Sequence, residues 1–310
     1  MALQKTQDAS LMQAPFLKKG DTIGIISTAR KISLEELRPA LDLIESAGFN
    51  YLLGDHLFDV DHQMAGTDQQ RANDLSAMLA NEGISAILCA RGGYGTVRLW
   101  DKVDWKSYQE KPKWIIGYSD VTVLHSICHT QLKWQSIHAS MPINFKDYSS
   151  NDIPFNSLLE ALKGNSVEHI WESSSDNRHG YAEGQVIGGN LSILYALRGT
   201  PLDIDTRGKI LLIEDLDEYL YHIDRIMMNL KIGGVLSELK ALIVGGLSDM
   251  NDNTVPFGKS AVEIVKDAVK DFDFPVVFDA PFGHIWDNRA VVLGRRVQLE
   301  SNDKLVSLKF

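Results

Sequence analysis

The sequence is poor in several things that define protein classes. It has two cysteines, Cys89 and Cys128, each inside an apolar stretch. A secreted disulfide scaffold uses more, at closer spacing, so the pair reads as buried thiols in a reducing compartment. Long hydrophobic runs are missing too. No window approaches the ~20 apolar residues of a membrane span. Residues 1–21 contain no apolar core of signal-peptide length. The expectation is a cytoplasmic chain with no membrane partner. Positive charge is in deficit: 31 Lys+Arg against 41 Asp+Glu give a net charge of −10. Such a surface does not seek phosphates, which excludes nucleic acid as a general partner. The acidity mainly favours solubility.

What is present is the material of a globular protein. The 310 residues are 44% apolar and 23% charged, too apolar for disorder and enough for a full core without staples. Length alone suggests two domains. The sequence contains no internal repeat and no low-complexity tract.

The first half alternates strand and helix signals. Residues 21–28 form a short apolar run that fits a buried parallel strand. Ser33-Leu-Glu-Glu36 is a capping box ahead of Leu37, Leu41 and Ile44, and Gly48 supplies a stop. Pro39 argues against one straight helix there. Tyr51–Leu53 reads as a strand, and Thr67-Asp-Gln-Gln70 caps a helix running to about Asn81, with Ala72, Leu75 and Leu79 on one face. Ala86–Ala90 and Trp114–Asp120 are further strands, and a helix should follow from Val121 to Leu132. This alternation predicts a doubly wound parallel sheet over residues 1–150. Residues 151–183, rich in Ser, Asn, Asp and Pro, are expected to be a connector. Residues 184–310 should form a smaller mixed α/β domain. Its expected strands lie at 184–187, 209–213, 241–244, 275–278, 290–293 and 304–308, and its helices at 190–198, 219–231 and 259–270.

Three residues stand at strand-to-loop junctions: Ser119, Glu214 and His284. Ligands of open α/β sheets bind beyond the carboxyl ends of the strands, so these residues could share one cleft. Their types are those of a nucleophile, an orienting carboxylate and a base. Serine needs a base to take its proton, and a carboxylate fixes the tautomer of that base. Each also has a plainer role open to it. Ser119 could cap the next helix, Glu214 could belong to a solvated acidic loop, and His284 could be a hydrogen-bonded turn histidine. Gly117-Tyr-Ser-Asp-Val121 has valine where the hydrolase elbow Gly-x-Ser-x-Gly has its second glycine, which argues against an ordinary α/β-hydrolase. The loop Arg91-Gly-Gly-Tyr-Gly95 lacks the Gly-Lys-Ser/Thr ending of a P-loop. His125 and His129 share a helix face and could bind a metal, but no third ligand is evident, so a packed helix is expected and no metal.

Gly117-Tyr-Ser-Asp120, Ile213-Glu-Asp215 with Glu218, and Gly283-His284 resemble the three active-site motifs of the LD-carboxypeptidases. That serine peptidase family includes muramoyltetrapeptide carboxypeptidase and the microcin C self-immunity peptidase. Asp21-Thr-Ile-Gly24, Ala65-Gly-Thr-Asp68 with Arg71 and Asp74, Ala90–Gly95 and Gly188-Gly-Asn-Leu191 extend the likeness over most of the chain. The resemblance implies Ser119 as nucleophile, Glu214 as acid and His284 as base, with Glu218 the alternative acid. The tetrahedral oxyanion would need two backbone N–H donors, Asp120 and Gly93, with Gly92 the second choice for the latter.

The implied function is removal of terminal D-alanine from the L,D bond of a murein tetrapeptide during cytoplasmic peptidoglycan recycling, by a homodimer without cofactor. The partner is then a small anionic peptide, whose carboxylates call for arginine; Arg91 and Arg225 are candidates. Trp286 is a candidate wall. One alternative is self-immunity cleavage of a peptidyl- or aminoacyl-nucleotide amide. Family members of that kind tend to carry a longer insertion between nucleophile and acid than residues 119–214 allow. A second alternative is a non-catalytic murein-peptide-binding protein.

Overall fold

The computed structural model describes residues 11–310; the first ten, part of the segment read above for a leader, lie outside the described residues. In chain order the elements are β1 (Thr22–Ile26), α1 (Leu34–Ser46), β2 (Asn50–Leu53), α2 (Asp68–Ala80), β3 (Ile84–Cys89), β4 (Trp114–Gly117), α3 (Thr122–Ile127), β5 (Ser136–His138), α4 (Ile153–Lys163) and β6 (Glu168–Glu172). Then come β7 (Gly180–Asn190), α5 (Leu191–Ala196), β8 (Ile210–Leu216), α6 (Leu220–Ile232), β9 (Ala241–Ser248), α7 (Ala261–Val269), β10 (Val276–Val277), β11 (Val291–Leu293), β12 (Arg296–Ser301) and β13 (Leu305–Lys309).

The first sheet has the order β11-β5-β4-β3-β1-β2. Five of its strands are parallel, and β11 closes one edge antiparallel to β5. Alternate side chains serve opposite faces. Ile23, Ile25, Ala86, Leu88, Trp114 and Ile116 pack with α1. Ile26, Ile87, Cys89 and Ile115 pack with α2 and α3. Both faces are covered, so this is the expected doubly wound α/β layer. Its helices start where their caps dictate: the Ser33 hydroxyl accepts from Glu36 N, and Glu36 Oε2 accepts from Ser33 N at 2.8 Å. Helix α1 runs unbroken through Pro39, against expectation. Proline removes one N–H near the exposed first turns, where water can take the freed carbonyl of Glu35. The helix expected over 121–132 is shorter: α3 ends at Ile127 and a wider π-helical turn, Cys128–Leu132, completes it.

The second sheet has the order β10-β9-β8-β7-β12-β13-β6. Strands β10 to β7 are parallel and the rest antiparallel, so this sheet is mixed, as expected. Helices α6 and α7 cover one face.

The segment 151–183, expected as a connector, is structured. Its Asp152-Ile-Pro154 is a helix start, with proline in the first turn, and Phe155, Leu158 and Leu162 of α4 enter the core of the first sheet. Strand β6 then edges the second sheet beside β13. Strand β11, from the C-terminal third, belongs to the first sheet. The chain therefore crosses between the layers more than once. Three short strands, β5, β6 and β12, were not anticipated from periodicity.

Phe155 is 1% exposed and meets Phe145 edge-on at 5.4 Å. Phe155→Ala is expected to cost about 3–5 kcal/mol in urea unfolding. A linker position would cost under about 0.5 kcal/mol.

Candidate functional site

The site forms where the C-terminal ends of β4 and β8 meet the loop after β10. Ser119 follows β4 with φ +63°, a left-handed conformation that costs an L-residue energy and persists only when its surroundings enforce it. It opens a short 3₁₀ turn, Ser119–Val121, that leads into α3. The valine that departs from the hydrolase elbow has a local role. A Cβ on Gly117 would stand 2.9 Å from Val121 Cγ2, so Gly117 makes room for that side chain.

The glycine loop lies against Ser119. A Cβ on Gly92 would stand 3.1 Å from Ser119 Oγ. The loop is tied to the serine turn by Thr96 N–H, which donates to Asp120 Oδ2 at 2.9 Å. Burial pushes the Asp120 carboxyl up, and the Thr96 hydrogen bonds oppose it. Buried Arg71 donates to Thr28 O, Gly66 O and Asp68, and lies beside the loop, where a Cβ on Gly95 would stand 3.4 Å from its Nη2. That gives a structural account of the Gly66, Asp68 and Arg71 motif.

Glu214 ends β8 and is fully buried. Its Oε2 is hydrogen-bonded to His284 Nδ1 at 2.6 Å. Burial raises the Glu214 carboxyl, but the neighbouring imidazoles of His138 and His284 outweigh it and hold the group below the usual range. Burial lowers the His284 imidazole, yet the Glu214 carboxylate outweighs that and leaves it raised. Glu218, the alternative acid, bonds Ser192 and His222 instead. The loop holding His284 is fixed by Gly283 N–H donating to Asn288 Oδ1 at 2.8 Å and by Ser248 Oγ donating to His284 O at 2.8 Å.

The His284 ring packs on Tyr118, the residue before Ser119, with centroids 4.7 Å apart. Among the described residues Ser119 Oγ makes no hydrogen bond. Beside His284 opens a cleft of about 280 Å³ lined by Tyr118, Asn144, Tyr148, Leu216 and Trp286. Tyr148 holds this wall, donating from its hydroxyl to Trp286 O at 2.8 Å.

Sequence reasoning missed His138. It ends β5 opposite Gly117, fully buried, with Nε2 at 3.9 Å from Glu214 Oε1. Neither the His138 ring nitrogens nor Glu214 Oε1 has a hydrogen-bond partner. His138 stands at a strand end, as Ser119 does, but a three-residue strand leaves no periodic signal in the sequence. His125 is a brace, bonded to Gly117 O and Ser136 Oγ at 2.9 Å each; burial lowers its pKa to about 3. Among the described residues no group of three His, Cys, Asp or Glu is arranged to hold a metal. The two arginine candidates are engaged elsewhere. Arg91 donates to Lys31 O and faces Glu36, and Arg225 lies over the Tyr221 ring.

A serine with positive φ follows Tyr118, on which a carboxylate-held imidazole packs; these are residue types that serine hydrolases use. The LD-carboxypeptidase N-terminal domain model matches residues 23–139, and the C-terminal domain model matches residues 183–299. A probable murein peptide carboxypeptidase of Bacillus subtilis is 33% identical, over 93% of this chain and 91% of its own. The murein tetrapeptide carboxypeptidase of Pseudomonas aeruginosa is 28% identical over 90% of this chain and 93% of its own. Among solved structures, muramoyltetrapeptide carboxypeptidase from Oxalobacter formigenes superposes with a TM-score of 0.85 at 26% identity, covering 93% of this chain and 98% of that one. The wild-type apo microcin C7 self-immunity protein shares the fold, with a TM-score of 0.85 at 23% identity over 96% and 98% of the two chains. The chain belongs to the LD-carboxypeptidase family of serine peptidases, and is a hydrolase of that family.

Gly283 has φ +96°, and an added Cβ would stand 2.5 Å from Glu214 Cβ. Gly283→Ala is expected to destabilise the protein by about 2–4 kcal/mol, read as a lowered thermal midpoint. An unchanged midpoint would contradict the packing of this loop on Glu214.

Proposed function

We propose that the chain is a serine carboxypeptidase that releases terminal D-alanine from the L,D bond of a murein tetrapeptide, in cytoplasmic peptidoglycan recycling and as a homodimer. The observation that carries this reading is the 2.6 Å Glu214–His284 hydrogen bond beside the strained Ser119. The relatives named as murein peptide carboxypeptidases support the substrate.

In this mechanism Ser119 Oγ attacks the scissile carbonyl while His284 Nε2 takes its proton. Glu214 holds the proton on Nδ1 and stabilises the imidazolium. The oxyanion is received by the backbone N–H of Asp120 and of the glycine loop, Gly93 or its neighbour Gly92. His284 then protonates the departing amine, D-alanine leaves, and water released onto the acyl-enzyme by the same base regenerates Ser119. Trp286 and Tyr148 form the wall of the substrate cleft.

Purified protein is expected to release D-alanine from a murein tetrapeptide, and Ser119→Ala to lower kcat by about 10⁴-fold. Turnover of an aminoacyl-nucleotide amide with no release of D-alanine would replace this reading by the self-immunity one. Tetrapeptide binding without turnover of either substrate would favour a binding protein.

The base must be neutral to accept the serine proton. With the His284 pKa raised above 6.5, kcat/KM should climb with pH through an acid limb above that value. Glu214→Gln removes the charge that raises it, so the limb should move down and the maximal rate fall. A limb at or below the ordinary histidine range in the unaltered protein would remove His284 from this role.

A further inference from the structure

A peptide that loses its last residue presents a carboxylate beyond the scissile bond. On a chain of net charge −10 that group needs a local cation. Arg30, four residues past β1, is placed to supply it. Its backbone N–H donates to Gly92 O at 3.4 Å. Its side chain lies across Gly93: a Cβ there would stand 2.6 Å from Arg30 Cδ and 2.8 Å from Nε. Gly93 has φ +115°, so glycine serves the backbone and clears the space for the arginine stem at once.

Gly92, whose own added Cβ would stand 3.1 Å from Ser119 Oγ, is the adjacent residue. The Arg30 stem is therefore carried about one residue step, ~3.8 Å, from the glycine that meets the nucleophile. The carboxylate carbon of a C-terminal residue lies three bonds past the scissile carbonyl carbon, a span of the same order.

The neighbouring arginines are already committed. Arg71 is buried and hydrogen-bonded, Arg98 pairs with Asp68 at 2.7 Å, and Arg91 is held by Lys31 O and Glu36. The Arg30 side chain is exposed and, among the described residues, makes no hydrogen bond or ion pair.

Resting on the carboxypeptidase reading above, we propose that Arg30 is the specificity-determining residue for the leaving group. Its guanidinium takes the free carboxylate of the residue being released. The substrate class is then peptides whose last residue ends in a free acid. An amidated end, or a chain continuing past that residue, lacks the charge at that distance.

The test compares one murein tetrapeptide as the free acid and as its C-terminal carboxamide, with full-length protein. The unaltered chain should prefer the acid by roughly 100-fold in kcat/KM, expressed mainly in KM. Arg30→Gln should collapse that preference to within about threefold, and Arg30→Lys should recover part of it as a point charge without the fork. Arg225→Gln, which removes the same charge from the Tyr221 face, should keep the full preference. Thermal midpoints check that the variants fold. A preference unchanged in Arg30→Gln, or lost equally in Arg225→Gln, overturns the assignment. Turnover of neither peptide by the unaltered chain overturns the carboxypeptidase reading instead. Arg30 is then judged by calorimetric binding, and an acid that binds no tighter than the carboxamide overturns it too.

Discussion

A carboxylate with no exposure to water is the constraint on which this structure turns. Glu214 sits at the end of a central strand, and leaving such a charge unpaired would cost several kcal/mol. The hydrogen bond from His284 offsets that burial, so the loop 281–290 has to close tightly over β8 and β9. Gly283 gives up a side chain because Glu214 occupies its space, and Gly245 does so because Phe282 O would lie 2.4 Å from its Cβ. Asn288 then secures the Gly283 N–H. A single buried charge thereby organises a segment that contains almost no regular structure.

The same pair lies against Tyr118, the residue before Ser119, and the two sheets meet there. Thr122, at the start of the helix after Ser119, accepts from Asn190 N–H through its Oγ1 at 2.9 Å. Gly189 is bare where that threonine approaches. Strand β11 extends the first sheet from the far end of the chain, and His169 Nε2 bonds the Ala290 carbonyl just before it. These crossings couple the layers, so the Ser119 turn and the carboxylate's strand are fixed by one continuous packing arrangement.

Much of this was legible beforehand where the signal is local. The capping boxes at Ser33 and Thr67 formed with the bonds their spacing implies. Apolar runs bounded by glycine and polar residues marked the central strands, because a strand buried on both faces has little choice of composition. Ser119, Glu214 and His284 stood out because strand ends are where parallel sheets present side chains. The misses share a cause as well. Helix α4 was hidden because Ser, Asn, Asp and Pro mark both loops and helix starts. Strand β5 has three residues, too few for periodicity. His138 and Arg30 carry no distinctive motif, and their neighbours come from distant parts of the chain.

The sequence by itself determined the class of chain, its alternation of elements, and the three chemical types at three strand ends, since propensity, capping and burial are read from near neighbours. Only the tertiary structure shows the partners of Glu214 and Glu218. Both carboxylates stand in one short acidic run, and the sequence favoured Glu214 as nearer the strand end. Packing buries one against His284 and turns the other toward Ser192 and His222. It also decided which arginine is uncommitted beside the glycine loop, because whether a charge is satisfied depends on partners that the chain brings together only when it folds.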